Sequence, residues 1–186
     1  MVNQTEAELE AQLIQQLVGL DYVCIKVHDE ASVLANLRTQ LGAFNQTSFS
    51  DREFDIILNH LAKGNVFEKA KTLRDRFQFT RDDGTSYYMA FYDSENFSKN
   101  FFQVTNQVTQ KATYENRYDV TLMVNGLPLV QIELKRRGIE IKEAFNQVNR
   151  YQRHTYWTNS GLFNYVQVFV ISNGVNTKYY ANNRFQ

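Results

Sequence analysis

Asp119 and Glu133 lie fourteen residues apart, and Lys135 follows Glu133 by two, inside the run Pro128-Leu-Val-Gln-Ile-Glu-Leu-Lys135. A pair of carboxylates can hold one or two divalent metal ions that polarise a scissile phosphate and activate water, while a nearby lysine orients that water or offsets developing charge. Hard oxygen donors of this kind suit Mg²⁺. Taken alone, D-x(13)-E-x-K also arises by chance, and a Glu/Lys pair on a strand is commonly just solvated. The elements that carry these residues therefore decide what they mean.

Period-two alternation places Val130, Ile132 and Leu134 on one face of a strand and Gln131, Glu133 and Lys135 on the other. The strand before it sets Val120, Leu122 and Val124 against Asp119, Thr121 and Met123, and Asn125-Gly126 marks the turn between the two. Register decides whether the acids meet. A two-residue loop makes paired numbers sum to 251, sets Asp119 opposite Ile132 and splits the apolar residues between faces. A three-residue loop or an added bulge changes that sum to an even value such as 250 or 252. The six apolar residues then share one side, and Asp119, Glu133 and Lys135 share the other. Core formation favours the even register.

Upstream, Thr5 to Val18 reads as a helix opened by Thr5 with Glu8 three residues on. Leu9, Leu13, Leu17 and Leu20 form one stripe, with Glu6 and Glu10 inside it and Glu8 opposite. A carboxylate on an apolar face needs a partner, unless it snorkels at the rim of the core. Helices are expected over Ser32 to Phe44, Arg52 to Leu61 and Val66 to Phe77, after a buried strand from Tyr22 to Val27. Strands are expected over Ser86 to Tyr92, Phe101 to Thr109, Arg117 to Val124, Leu129 to Lys135, Val166 to Ser172 and Thr177 to Tyr180. Between them, Ile139 to His154 reads as a helix with the stripe Ile141, Ala144, Phe145 and Val148. Gln147 and Tyr151 lie one turn apart along its edge. The succession argues for an α/β fold, a mixed β-sheet flanked by α-helices. With Pro128 the only proline and no linker or repeat, residues 1–186 read as a single domain.

Asp119 followed by Glu133-Leu134-Lys135 on the next strand resembles the D…(D/E)-x-K signature of the PD-(D/E)xK nucleases. Their restriction-endonuclease-like fold has the same order of helix, strands, helix and strand. Gln147-Val-Asn-Arg-Tyr151 resembles the Q-x-x-x-Y motif that follows the catalytic lysine in RecB-like nucleases and type I restriction enzymes. The order of Val66-Phe-Glu-Lys-Ala-Lys-Thr-Leu-Arg-Asp, Asp82-Asp-Gly-Thr, Ile132-Glu-Leu-Lys-Arg-Arg and Val170-Ile-Ser-Asn-Gly is similar to the amino-terminal part of type I restriction-modification R subunits. That similarity covers nearly the whole chain.

The resemblance implies a Mg²⁺-dependent endonuclease domain hydrolysing DNA phosphodiester bonds. Asp119 and Glu133 would be metal ligands, Lys135 the catalytic lysine, and Gln147 and Tyr151 supporting residues. Glu10, one turn deeper than Glu6, would be a further metal-site acid, with Glu6 as the open alternative. The resemblance also implies modification and specificity subunits as partners, and helicase-like motor domains further along the polypeptide. These 186 residues hold no G-x-x-x-x-G-K-[ST] cradle. ATP would thus act only through motor domains absent from this chain, which reads as the amino-terminal fragment of a longer subunit.

Composition sets the outer limits. Hydrophobic residues at 43% and charged residues at 22% exclude global disorder and coiled coil. Twenty basic against twenty acidic side chains leave no global field to draw the chain to DNA, so any such contact must be local. Residues 133 to 154 supply one: Lys135, Arg136, Arg137, Lys142, Arg150 and Arg153 outnumber Glu133, Glu140 and Glu143. The other reading is a solvated helix face. One cysteine, Cys24, permits no internal disulfide, and the apolar run around it predicts burial. No membrane-spanning run or secretion signal is present, so a cytoplasmic location is expected. Two competing functions are a free-standing repair or junction nuclease of the same fold, and a catalytically silent DNA-binding or subunit-docking module.

Overall fold

The computed structural model describes residues 4–111, 115–151 and 161–183. Its helices are α1 (Glu6–Val18), α2 (Glu30–Phe44), α3 (Asp51–Leu61), α4 (Val66–Thr72) and α5 (Ile141–Tyr151). Strands β1 (Val23–Cys24), β4 (Phe102–Lys111), β5 (Glu115–Val124), β6 (Leu127–Leu134), β7 (Val168–Ser172) and β8 (Thr177–Ala181) form one sheet in the order β1-β4-β5-β6-β7-β8. The run β4-β5-β6 is antiparallel, whereas β1 lies parallel to β4 and β7 parallel to β6. The parallel β6-β7 pair needs a crossover, and α5 lies on it. A separate hairpin joins β2 (Phe77–Thr80) to β3 (Ser86–Met89). This is a mixed α/β sheet flanked by helices, consistent with the restriction-endonuclease-like fold.

Local sequence explains where the helices begin. Thr5 with Glu8, Asp29 with Ser32, Ser50 with Glu53 and Asn65 with Glu68 each form a reciprocal capping box that occupies backbone N–H groups left open by the first turn. The sheet then separates two apolar layers. Leu9, Leu13, Ile14 and Leu17 of α1 pack on Val104, Val120, Ile132 and Leu134. On the other side, Leu37 and Leu41 of α2, Ile57 of α3 and Ala144 and Val148 of α5 join Met123, Leu127, Phe169 and Ile171. Burying each of the Val, Leu, Ile, Met and Phe side chains among them contributes about 1.5–3 kcal/mol.

The β5-β6 hairpin reaches the even register by a combination of devices. Its turn has two residues, with φ of 50° at Asn125 and 84° at Gly126, as a type I′ turn requires. Val124↔Leu127 and Met123↔Pro128 accordingly keep the sum 251. A bulge beyond Met123 moves the pairing to 252 for Leu122↔Val130, Thr121↔Gln131 and Val120↔Ile132. Leu129 is the extra residue. Val120, Leu122, Val130, Ile132 and Leu134 thus all face α1, and Asp119 and Glu133 share the opposite parity.

Several expected elements differ. The helix expected to run to Phe77 stops at Thr72, because Phe77 and Phe79 pair with Met89 and Tyr87 and stack in an aromatic cluster. Tyr22 to Val27 contributes only the two-residue edge strand β1, whose residues are exposed, so Cys24 is an exposed free thiol rather than a buried one. Leu20 lies beyond α1 and is exposed. α5 starts at Ile141, after Gly138 turns the chain with φ of 93°. Among the described residues, no helix is long and apolar enough to cross a membrane.

Candidate active site

Asp119 sits where β5 and β6 stop pairing. The last bridge is Val120↔Ile132, and one step further the Asp119 carboxylate accepts the Leu134 N–H at 2.8 Å. The acid is thereby pinned to the neighbouring strand. Glu133 is completely buried beside it, and neither of its oxygens receives a hydrogen bond. Lys135 Nζ lies 3.7 Å from Glu133 Oε1 and 3.9 Å from Glu6 Oε2. The β6 alternation thus puts Glu133 and Lys135 on one face, and the bulge brings Asp119 to them.

The electrostatics of this group are unbalanced. Burial, followed by the charge of Asp119, pushes the Glu133 carboxyl up to about 9, with Lys135 opposing. Burial also raises Asp119, against the Leu134 N–H and Lys135 and with help from Glu10. Carboxylates that repel one another in a dry setting keep a proton unless a cation replaces it. Glu133, buried and without hydrogen bonds, therefore fits a divalent metal. Among the described residues, no three His, Cys, Asp or Glu side chains converge on one metal position. Mg²⁺ does not demand three, since it usually keeps several waters and binds through one or two carboxylates plus substrate phosphate.

The two acids of α1 take different places. Glu6 accepts the Arg136 N–H at 3.2 Å and faces Lys135. Glu10 is 8% exposed, close enough to Asp119 for its charge to raise that group, and is held by the side-chain amides of Asn106 and Gln107. By sequence Asn106 and Gln107 read as ordinary strand residues, and two adjacent amides within a strand are the only local signal they carry. Tyr180 lies near Glu133: its buried hydroxyl has no hydrogen-bond partner and is pushed up by burial and by the Glu133 charge.

The remaining site candidates are placed less centrally. Gln147 is half-buried on α5. Arg136, Arg137 and Lys142 are exposed between β6 and the first turn of α5. The side chains of Arg150 and Tyr151, and Arg153 as a whole, lie outside the described residues.

The chain matches, over residues 3–186, the family described as Type I restriction enzyme R protein N terminus. It is 46% identical over 188 residues to the type I restriction enzyme SauCOLORF180P endonuclease subunit of Staphylococcus aureus (strain COL), covering 98% of this chain and 20% of that relative. The SsaAORF53P endonuclease subunit of Staphylococcus saprophyticus is 45% identical with the same coverage. The EcoprrI endonuclease subunit of Escherichia coli is 42% identical over 185 residues, covering 96% of this chain and 59% of that relative. The chain thus spans about a fifth of the length of the staphylococcal relatives.

Proposed function

The chain belongs to the family of type I restriction enzyme R protein N termini, and from that membership we propose that it is a Mg²⁺-dependent endonuclease domain hydrolysing DNA phosphodiester bonds. The observation that carries the reading is Glu133: fully buried, without hydrogen bonds, and set between Asp119 and Lys135. Such a group destabilises the fold and is explained by a cation it is built to receive.

In this reading Asp119 and Glu133 hold the metal, with Glu10 beside them. When bound, the metal supplies positive charge that polarises the phosphate and acidifies the attacking water. The Leu134 N–H fixes one Asp119 oxygen. Lys135, 15% exposed, keeps its ammonium within reach of Glu133 and Glu6 and donates to the attacking water or to the charge growing on the phosphate. Gln147 and Tyr151 support this group from α5. Arg136, Arg137 and Lys142, with Arg150 and Arg153 further along, bind the DNA backbone.

The same reading makes the domain the nuclease part of a longer polypeptide in a cytoplasmic complex. Modification and specificity subunits select the DNA, and motor domains outside this chain use ATP. Lys135→Ala in the assembled enzyme tests it. Losing one transition-state contact costs about 10² to 10³ in rate, so plasmid cleavage should collapse while ATP-driven translocation persists. Cleavage at the wild-type rate refutes the role. Loss of translocation together with cleavage favours a docking module instead.

A further inference from the structure

We propose that Asn106 and Gln107 are positioning residues that clamp Glu10 beside Asp119, so that its carboxylate serves as a fixed acceptor for the water shell of a divalent metal held by Asp119 and Glu133. The inference rests on the metal-site reading above and extends it to two residues on β4.

The backbone of β4 is bent to make this clamp. Successive strand residues normally point to opposite faces, yet the Asn106 and Gln107 amides converge on one carboxylate. Asn106 Nδ2 donates to Glu10 Oε1 at 2.5 Å, and Gln107 Nε2 donates to Oε2. They converge because Gln107 adopts a left-handed conformation, with φ of 56°. The β4-β5 ladder runs Asn106↔Val120 and resumes at Val108↔Tyr118, leaving unpaired the row formed by Gln107 and Asp119. Side-chain parity changes there too: Val104 belongs to the α1-side layer and Val108 to the opposite one. A non-glycine residue in this conformation persists only where its surroundings hold it, and such positions concentrate at functional sites.

The chemistry of the clamp suits a cation. Glu10 is nearly buried on the apolar side of α1, and both of its named partners are neutral amides. Its negative charge is therefore oriented rather than neutralised. Each carboxylate oxygen has two acceptor directions, so one N–H per oxygen leaves the others open. Because Glu10 does not converge with Asp119 and Glu133 on a single metal position, its route to the ion is through bound water. Partners of this outer kind typically change metal affinity by about 10- to 100-fold.

A purely structural clamp would simply tie α1 to the sheet, and Mn²⁺ titration of the chain, followed by loss of the free-ion EPR signal, separates the two roles. Gln107→Gly deletes one amide while suiting the left-handed backbone, so relief of backbone strain partly offsets the lost hydrogen bond and urea unfolding should still show a cooperatively folded chain. Its Mn²⁺ Kd should rise at least about tenfold, within the outer-partner range. Glu10→Gln should do the same, and the double variant should be no weaker than the worse single, because both remove one contribution. Asn106→Ser provides an independent loss of a donor should Gln107→Gly fold poorly. Unchanged Mn²⁺ affinity in the folded clamp variants overturns the inference alone, as does full additivity with Glu10→Gln. A wild-type chain that binds no Mn²⁺ at millimolar concentration overturns the metal-site reading and the inference together.

Discussion

Replacing Glu133 by glutamine should change how the metal-free chain responds to pH. An ordinary glutamate titrates near 4.5, whereas the folded chain raises Glu133 to about 9. Between those values the folded state holds one proton more than the unfolded state. Stability is therefore greatest below about pH 4.5 for this group and falls as pH rises, at about 1.4 kcal/mol per unit, until about pH 9. From pH 5 to pH 7 the loss amounts to about 3 kcal/mol. The glutamine side chain cannot ionise, so this part of the slope disappears in Glu133→Gln. His60, lowered by burial, contributes an opposite slope at acid pH, but it does so in both proteins and cancels in the comparison. Urea unfolding at pH 5, 6, 7 and 8 reads the difference. Saturating Mg²⁺ should flatten the wild-type profile, adding about 2.7 kcal/mol at a hundredfold excess over Kd, and should leave Glu133→Gln much less affected. Parallel pH profiles for the two proteins would refute the claim that burial and Asp119 hold Glu133 protonated.

Three further predictions concern the scaffold that positions these residues. Arg81→Ala removes the guanidinium bonded to Glu53 at 3.0 Å and leaves that carboxylate with only the Ser50 and Asp82 backbone N–H groups; thermal unfolding should show a lower midpoint than wild type. Gly126→Ala would place a Cβ 2.8 Å from the Leu37 Cα at φ of 84°, so denaturant unfolding should reveal a loss of at least about 1 kcal/mol, from backbone strain and clash together. Lys69 is buried and donates to the carbonyls of Leu61, Ala62 and Lys63 at the end of α3; Lys69→Met should cost about 1–3 kcal/mol in the same assay, while exposed Lys71→Met should stay near wild type.

The elements written into local sequence are those whose signals are themselves local. Thr5 with Glu8 announces α1, alternation identifies β5 and β6, and the Ala144 and Val148 spacing marks the buried side of α5. The same alternation already joins Glu133 to Lys135 on one face. Where a signal was local but misleading, long-range pairing prevailed: Phe77 reads as a helix end by its neighbours and becomes a strand because Met89 pairs with it. Cys24 reads as core by its apolar run and is exposed because that run is a sheet edge.

Whether Asp119 joins Glu133 was a question that sequence posed in two forms and could not close. A tight Asn125-Gly126 turn alone gives the odd register, and the even one depends on an extra residue, Leu129, taken up as a bulge. That choice is made by α1 on one side and by α2 and α5 on the other, since only the even register delivers both apolar layers complete. Sequence determined which carboxylates and which lysine were available. Tertiary structure decided the charge state of the carboxylates, because burial of Glu133 beside Asp119 arises only when β5 and β6 pair and β7 and α5 complete the face away from α1. It also decided the role of Asn106 and Gln107, which meet Glu10 across nearly a hundred residues through a backbone bend that no local pattern specifies.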